Sequence, residues 1–457
     1  MENTNWIQEG KDHYWLNFGK DESFYDQQGA VITKGEGSYI FDLEGNRYLD
    51  TMGGQCTLTL GYNPAPVIEA MEKQMRKIAT NPSGWPATTE TIAFAKKLAE
   101  LSPAHQKVFF SCNGTDGNES AVKIAKQYYR LKGAEGKYKA IVRKGEYHGA
   151  SLAMISGGGY TFRRKTFEPL PAGFVHINVP YCYRCPYEKS YPSCGAYCAG
   201  DLERELQFHD PSSIACILLE LTTGGGGVLP PPKEYVQKIR DICDEYGILM
   251  IVDEVVTGFG RTGTWFAYQQ FDVVPDMVVF GKGAAAGFYP VSGVLVKEDI
   301  ASLFSGHSDQ MFHHGYTFGG APLGSAAALA NIETLESLQI LEKVNRDNQY
   351  CVERFQRLQQ SSSIIGDFRH HGLMFALEFV QDTRLKERFA SEKALKQFII
   401  STGQSLGLHL AMMENILLLM PSLDISKEDL TFMCDGIEQL VRKAEESLQA
   451  FAAPYGA

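Results

Sequence analysis

Short apolar runs, each followed at once by polar residues, recur through the middle of this chain. "KVFF" leads into "SCNGTDGNE", "KAIVRK" into "GEYHGAS", and "GILMIV" into "DEVVTGFGRTG", while "IACILLEL" carries Glu220 and "DMVVFGK" ends on Lys282. Helical stretches such as "PKEYVQKIRDICDEYG" lie between them. Apolar strands alternating with helices build a mostly parallel sheet covered on both faces. Ligands of such α/β sheets bind at the carboxyl ends of the strands. The residues that do chemistry are therefore expected just past the apolar runs.

The flanks read differently. Residues 1 to about 30 form an arm rich in aromatics (Trp6, Tyr14, Trp15, Phe18), and "SYIFDLEGNRYLD" alternates with period two around an "EGN" turn. Helical spacing runs from Pro64 to about Leu101, broken at "TNPSGWPATTE". After about residue 335 helices and short strands resume, including "DFRHHGLMFALEFV" and "NILLLMPSLDI". The expectation is a large α/β domain over residues 66–335 and a small α+β domain built from both ends, with an arm and part of the small domain in 1–65 and the rest in 336–457.

Charge and composition exclude some roles. A net charge of -11 provides no basic face for nucleic acid. No apolar run approaches the ~20 residues of a membrane span. "MENTNWIQEGKDHYW" lacks the basic-then-apolar order of a signal peptide, so a cytoplasmic location is expected. Four of the ten cysteines cluster in "YCYRCPYEKSYPSCGAYC": Cys182, Cys185, Cys194 and Cys198. The spacing is compatible with zinc, but a tyrosine-rich loop of reduced, packed thiols is the preferred reading, and no metal is expected.

At the strand ends, each residue has a plain reading and a chemical one. Lys282 could snorkel to the surface, or be a desolvated amine able to form a Schiff base. Asp253 could cap a turn, or pair with a protonated ring nitrogen. Gly114 and Thr115 could open an ordinary helix, or receive a phosphate at its N-terminus. Tyr147 could pack in its loop, or stack on a planar ring. An aspartate and a Schiff-base lysine are the two parts a pyridoxal phosphate (PLP) site requires.

Taken together, "GTDGNESAVKIAK", "YHG", "DEVVTGFGRTG", "FGKG", "TFGGAPLGSAAALA" and "HGLMFALEF" resemble, in order and spacing, the class III PLP-dependent aminotransferases of fold type I. The resemblance runs from about Gly35 to Leu440. It implies that Lys282 is the Schiff-base lysine, Asp253 the ring-nitrogen partner, and Gly114 and Thr115 the phosphate cup. It further implies that Tyr147 and Val255 bracket the ring and that Glu220 lies near its phenolic edge. Thr317 resembles a threonine that reaches the cofactor of a neighbouring subunit, which implies a homodimer with shared sites. Trp85 is a candidate substrate residue.

Three departures bear on the substrate. The usual "E-P-x-Q-G" reads "ELTTGGGG", placing Leu221 and Thr223 where Pro and Gln stand and making Gly224–Gly227 an unusually free loop. The position of the family's carboxylate-gripping arginine falls on Leu418, leaving Arg369 and Arg163 as other candidates. Gln55 stands where amine transaminases carry an apolar residue; it resembles a glutamine of dialkylglycine decarboxylase, or is a polar residue at a pocket or dimer edge. The expected activity is transfer of an amino group from a primary amine or ω-amino acid to a keto acid or aldehyde. The rivals are a decarboxylase or lyase of the same fold and a non-catalytic binding protein.

Overall fold

The computed structural model describes residues 4–17, 29–82, 86–304, 310–448 and 451. Phe18 and Trp85 lie outside the described residues. An N-terminal meander comes first: β1 (Ile32–Glu36), β2 (Tyr39–Asp42) and β3 (Arg47–Asp50) pair antiparallel. The turn between β2 and β3 holds Gly45 at φ 81°, a conformation that favours glycine.

The central sheet has seven strands: β4 (Lys107–Ser111), β5 (Lys139–Arg143), β6 (Phe174–Ile177), β7 (Ile214–Leu219), β8 (Leu249–Asp253), β9 (Met277–Phe280) and β10 (Ser292–Val296). Their spatial order is β4-β10-β9-β8-β7-β5-β6. The five strands from β9 to β6 run parallel, and β10 is antiparallel to both neighbours. Every residue of β7, β8, β9 and β10 is buried, as a sheet covered on both faces demands. The helices Gly114–Leu131 and Lys233–Tyr246 pack on it, while Pro322–Ser337 packs on the turn Lys282–Ala285 just past β9 and on the helices Ala65–Lys77 and Thr89–Leu101.

The C-terminal part adds β11 (Ile365–His370), β12 (Phe375–Phe379), β13 (Leu408–His409), β14 (Ala411–Met413) and β15 (Ile416–Leu419). Four of these form a sheet in the order β11-β12-β15-β14, while β13 joins β3 in parallel. The two chain ends thus share a sheet, as expected. Arg261 ties these parts together: its guanidinium donates to the carbonyls of Leu58 (3.0 Å), Leu373 (3.3 Å) and Pro421, and burial lowers its pKa to about 10.

Candidate active site

Asp253 ends β8, and Lys282 begins a short 3₁₀ turn just past β9. The two strands are parallel neighbours with Asp253 in register with Val279. Both residues therefore emerge on the same edge of the sheet. Lys282 is half-buried and lies in the left-handed region at φ 35°. Such a conformation costs on the order of 1–3 kcal/mol and must be held by its surroundings. Ala284, Ala285 and Ala286 behind it are fully buried. No hydrogen bond or ion pair of the Lys282 amine occurs among the described residues.

Asp253 is 4% exposed and densely held. Its Oδ1 accepts the Val255 N–H (3.0 Å); its Oδ2 accepts from Asn118 Nδ2 (2.7 Å) and lies 2.9 Å from His148 Nδ1. His148 is itself buried, with Glu146 on its other side at 3.4 Å. Burial works against a charged imidazole, but the facing carboxylates of Asp253 and Glu146 outweigh it and raise the pKa to about 10.

The 18-residue helix Gly114–Leu131 starts beside these groups. Asn113 caps it, its side chain accepting from the Asp116 N–H at 3.1 Å. The N–H groups of Gly114 and Thr115 have no acceptor among the described residues. A Cβ on Gly114 would come within 2.9 Å of Val255 Cγ1, and one on Gly149 within 2.5 Å of Thr115 Oγ1. Open amides at a helix N-terminus, with glycines where any side chain would fill the space, fit a phosphate. The half-buried Tyr147 has the Arg163 guanidinium 4.5 Å from its ring centre.

Glu220, just past β7, accepts from the N–H groups of Tyr147 (2.9 Å) and Gly224 (2.7 Å). Burial, then the charges of Glu146 and Asp253, raise its pKa to about 7. The loop after it is not free, contrary to the expectation from its four glycines. Added Cβ atoms would meet Val256 at Gly224 (3.1 Å), the Gly145 carbonyl at Gly226 (2.4 Å) and Ile416 at Gly227 (2.8 Å). Gly226 thus lets backbone pack against backbone, and Gly224 and Gly227 let it pack against the side chains of Val256 and Ile416.

The expected substrate residues separate. Leu418 is 5% exposed in an apolar cluster with Cys56, Val228, Met374, Ala376, Ile416 and Met420. The residues that follow Cys56 pack against the turn that Lys282 begins: the Thr59 hydroxyl lies 3.5 Å from the Gly283 carbonyl, and a Cβ on Gly287 would come within 2.9 Å of Thr57 Oγ1. Arg369 is committed elsewhere: it pairs with Asp367 (2.6 Å) and Glu378 (2.8 Å) and donates to the Gly227 carbonyl (2.9 Å). Gln55 is exposed, in a left-handed turn in which Gly53, Gly54, Gln55 and Cys56 have φ of 50°, 56°, 60° and 65°. Thr317 is exposed. The four loop cysteines line a cavity of about 20 Å³, and among the described residues no three His, Cys, Asp or Glu form a set able to hold a metal. Burial raises the pKa of Cys198 to about 11, away from a thiolate.

Sequence reading gave no role to Asn118, Glu146, His148 or Arg143. Asn118 lies in the quoted "GTDGNE", and Glu146 and His148 flank Tyr147. The run Arg143–His148, in which every residue but Gly145 is charged or titratable, was the available signal at this strand end.

The model of the family "Aminotransferase class-III" matches residues 23–441. The adenosylmethionine-8-amino-7-oxononanoate aminotransferase of Geobacter sulfurreducens is 33% identical over 94% of this chain and 95% of its own length. The putrescine–pyruvate aminotransferase of Pseudomonas aeruginosa is 34% identical over 85% of each chain. Among solved structures, an amine transaminase from an uncultivated Pseudomonas species, in a PLP-bound form, superposes with a TM-score of 0.90 at 29% identity, covering 94% of this chain and 98% of its own.

Proposed function

The chain belongs to the class III aminotransferases, which use PLP, and on that premise we propose that it takes its amino group from simple primary amines or ω-amino acids in preference to α-amino acids. One observation carries the preference: Leu418 stands in an apolar cluster with Cys56, whose following residues pack on the turn of Lys282, and Arg369 is already paired with two carboxylates. Among the described residues that cluster holds no cation, and Arg163, the other candidate, lies over the ring of Tyr147.

PLP supplies an aldehyde that takes the amino group and a ring that draws electrons from the reacting carbon. With PLP bound, the Lys282 amine would hold that aldehyde in the resting enzyme and would move the proton at the reacting carbon. Asp253 holds the proton on the ring nitrogen. The amides of Gly114 and Thr115 receive the phosphate. Tyr147 and Val255 bracket the ring, and Glu220 fixes the loop at its edge. Thr317 completes the site of a second copy, so the working unit is a homodimer with shared sites. Among the described residues no helix is long and apolar enough to cross a membrane.

The test is a donor screen that reads conversion of PLP to its amine form, with carbon dioxide release followed in parallel. Primary amines should react at least as fast as α-amino acids, without carbon dioxide release. Leu418→Arg should then favour α-carboxylate donors by a few kcal/mol, because a buried guanidinium gains a partner only with them. Strong wild-type preference for α-amino acids, unchanged in the variant, would refute the donor assignment.

A further inference from the structure

Arg143, Glu146, His148 and Asp253 form one buried file of alternating charge. Arg143 is the last residue of β5, and Glu146 and His148 lie in the loop that follows. All four are under a twentieth exposed. Arg143 Nε donates to Glu146 Oε1 at 2.8 Å, and the same oxygen accepts the Glu220 N–H at 2.9 Å. Another Arg143 nitrogen reaches the Glu220 carbonyl. Glu146 Oε2 and His148 Nε2 face each other at 3.4 Å, and neither has a geometrically formed hydrogen bond among the described residues. The far ring nitrogen, Nδ1, lies 2.9 Å from Asp253 Oδ2.

Each neighbour constrains His148. A neutral imidazole has one N–H and can donate to only one of the two carboxylates. The other would then be a buried carboxylate oxygen against a ring lone pair, which is unfavourable. A doubly protonated ring donates to both. Arg143 closes the file and keeps Glu146 from being an uncompensated buried charge. Among the described residues the file also meets Glu220, the Asn118 amide that donates to Asp253, the phenol of Tyr160, which feels the charges of Glu220 and Glu146, and the ring of Tyr235, whose centre lies 5.6 Å from the Arg143 guanidinium.

We propose that Glu146 is a positioning residue that keeps His148 an imidazolium, so that both ring N–H groups are donated and Asp253 is fixed as an acceptor aimed at the cofactor's ring nitrogen. Glu146 touches neither substrate nor cofactor. It acts through His148, and the proposal rests on reading Asp253 as the ring-nitrogen partner.

The test reads His148 directly. Histidines are labelled with ¹⁵N, His148 is assigned with His148→Asn, and its ring nitrogens are followed from about pH 6 to about pH 9 in the apoprotein and in the PLP-loaded enzyme. Wild type should show both nitrogens protonated throughout. Glu146→Gln should bring the titration down by at least about one pH unit, because an anionic partner is lost. Glu146→Asp should restore it in part. Arg143→Met/Glu146→Gln, which removes both charges together, guards against a fold lost to an unpaired arginine, and it should titrate like Glu146→Gln. Loaded Glu146→Gln should lose about tenfold in kcat, as a change in a supporting partner does, with KM little changed. A neutral His148 in wild type at pH 7, or an unaltered titration in both Glu146 variants, overturns the proposal. Failure of the Asp253 assignment has a separate signature: His148 would stay charged, but PLP would leave its signals unmoved.

Discussion

Asp253 has little freedom, because Val255, Asn118 and His148 together occupy both of its oxygens. An aspartate so fixed need not reorganise when charge develops on a ring beside it, which is what gives preorganised groups their catalytic value. Asp253→Asn conserves shape and removes the charge. The expected outcome is retention of PLP by absorbance with a loss of several powers of ten in kcat. Near-normal turnover would assign the role to another residue. The placement of Lys282 and Asp253 at strand ends was legible in the sequence because each closes an apolar run that becomes a buried strand. The partners of Asp253 were not legible. Asn118 comes from a helix and His148 from a loop, and only the sheet order brings them together.

At the scale of elements, the segment after β7 shows how local rules mislead. Four consecutive glycines promise freedom, since glycine alone roams positive φ readily. Here they are placed for the opposite reason: they let Gly226 lie against the Gly145 carbonyl and Gly225 against the Tyr160 hydroxyl. Gly226→Ala should therefore lower the melting temperature, at a cost of about 1–3 kcal/mol from overpacking. Gly225→Ala, whose new methyl would meet only the Tyr160 hydroxyl at 3.3 Å, should cost less. Thermal melts of both apoproteins check the order, and equal melting temperatures would show that the loop yields. The strands β6 and β10 escaped sequence reading because neither leads into an evident motif. β4, β5, β7, β8 and β9 were readable because helical stretches or quoted motifs bound them.

For the whole molecule, the shared sheet of β3 and β13 joins the two chain ends, and the seven-stranded sheet carries the candidate site on one edge. Shared sites in a homodimer are testable by mixing. If Thr317 serves the neighbouring copy, a hybrid of Thr317→Ala and Lys282→Ala chains holds one site with both lesions and one intact site. Activity should recover toward half of the wild-type value per hybrid dimer. Confirmed hybrids without recovery would place Thr317 in its own chain's site. The account as a whole depends on Lys282 being the residue that holds PLP. The most direct measurement is borohydride reduction of the purified, PLP-loaded enzyme, followed by proteolysis and mass mapping. The expected result is a reduced pyridoxyl phosphate adduct on the peptide containing Lys282, absent from Lys282→Ala. An adduct on a different lysine, or none on a protein saturated with PLP, would contradict the account.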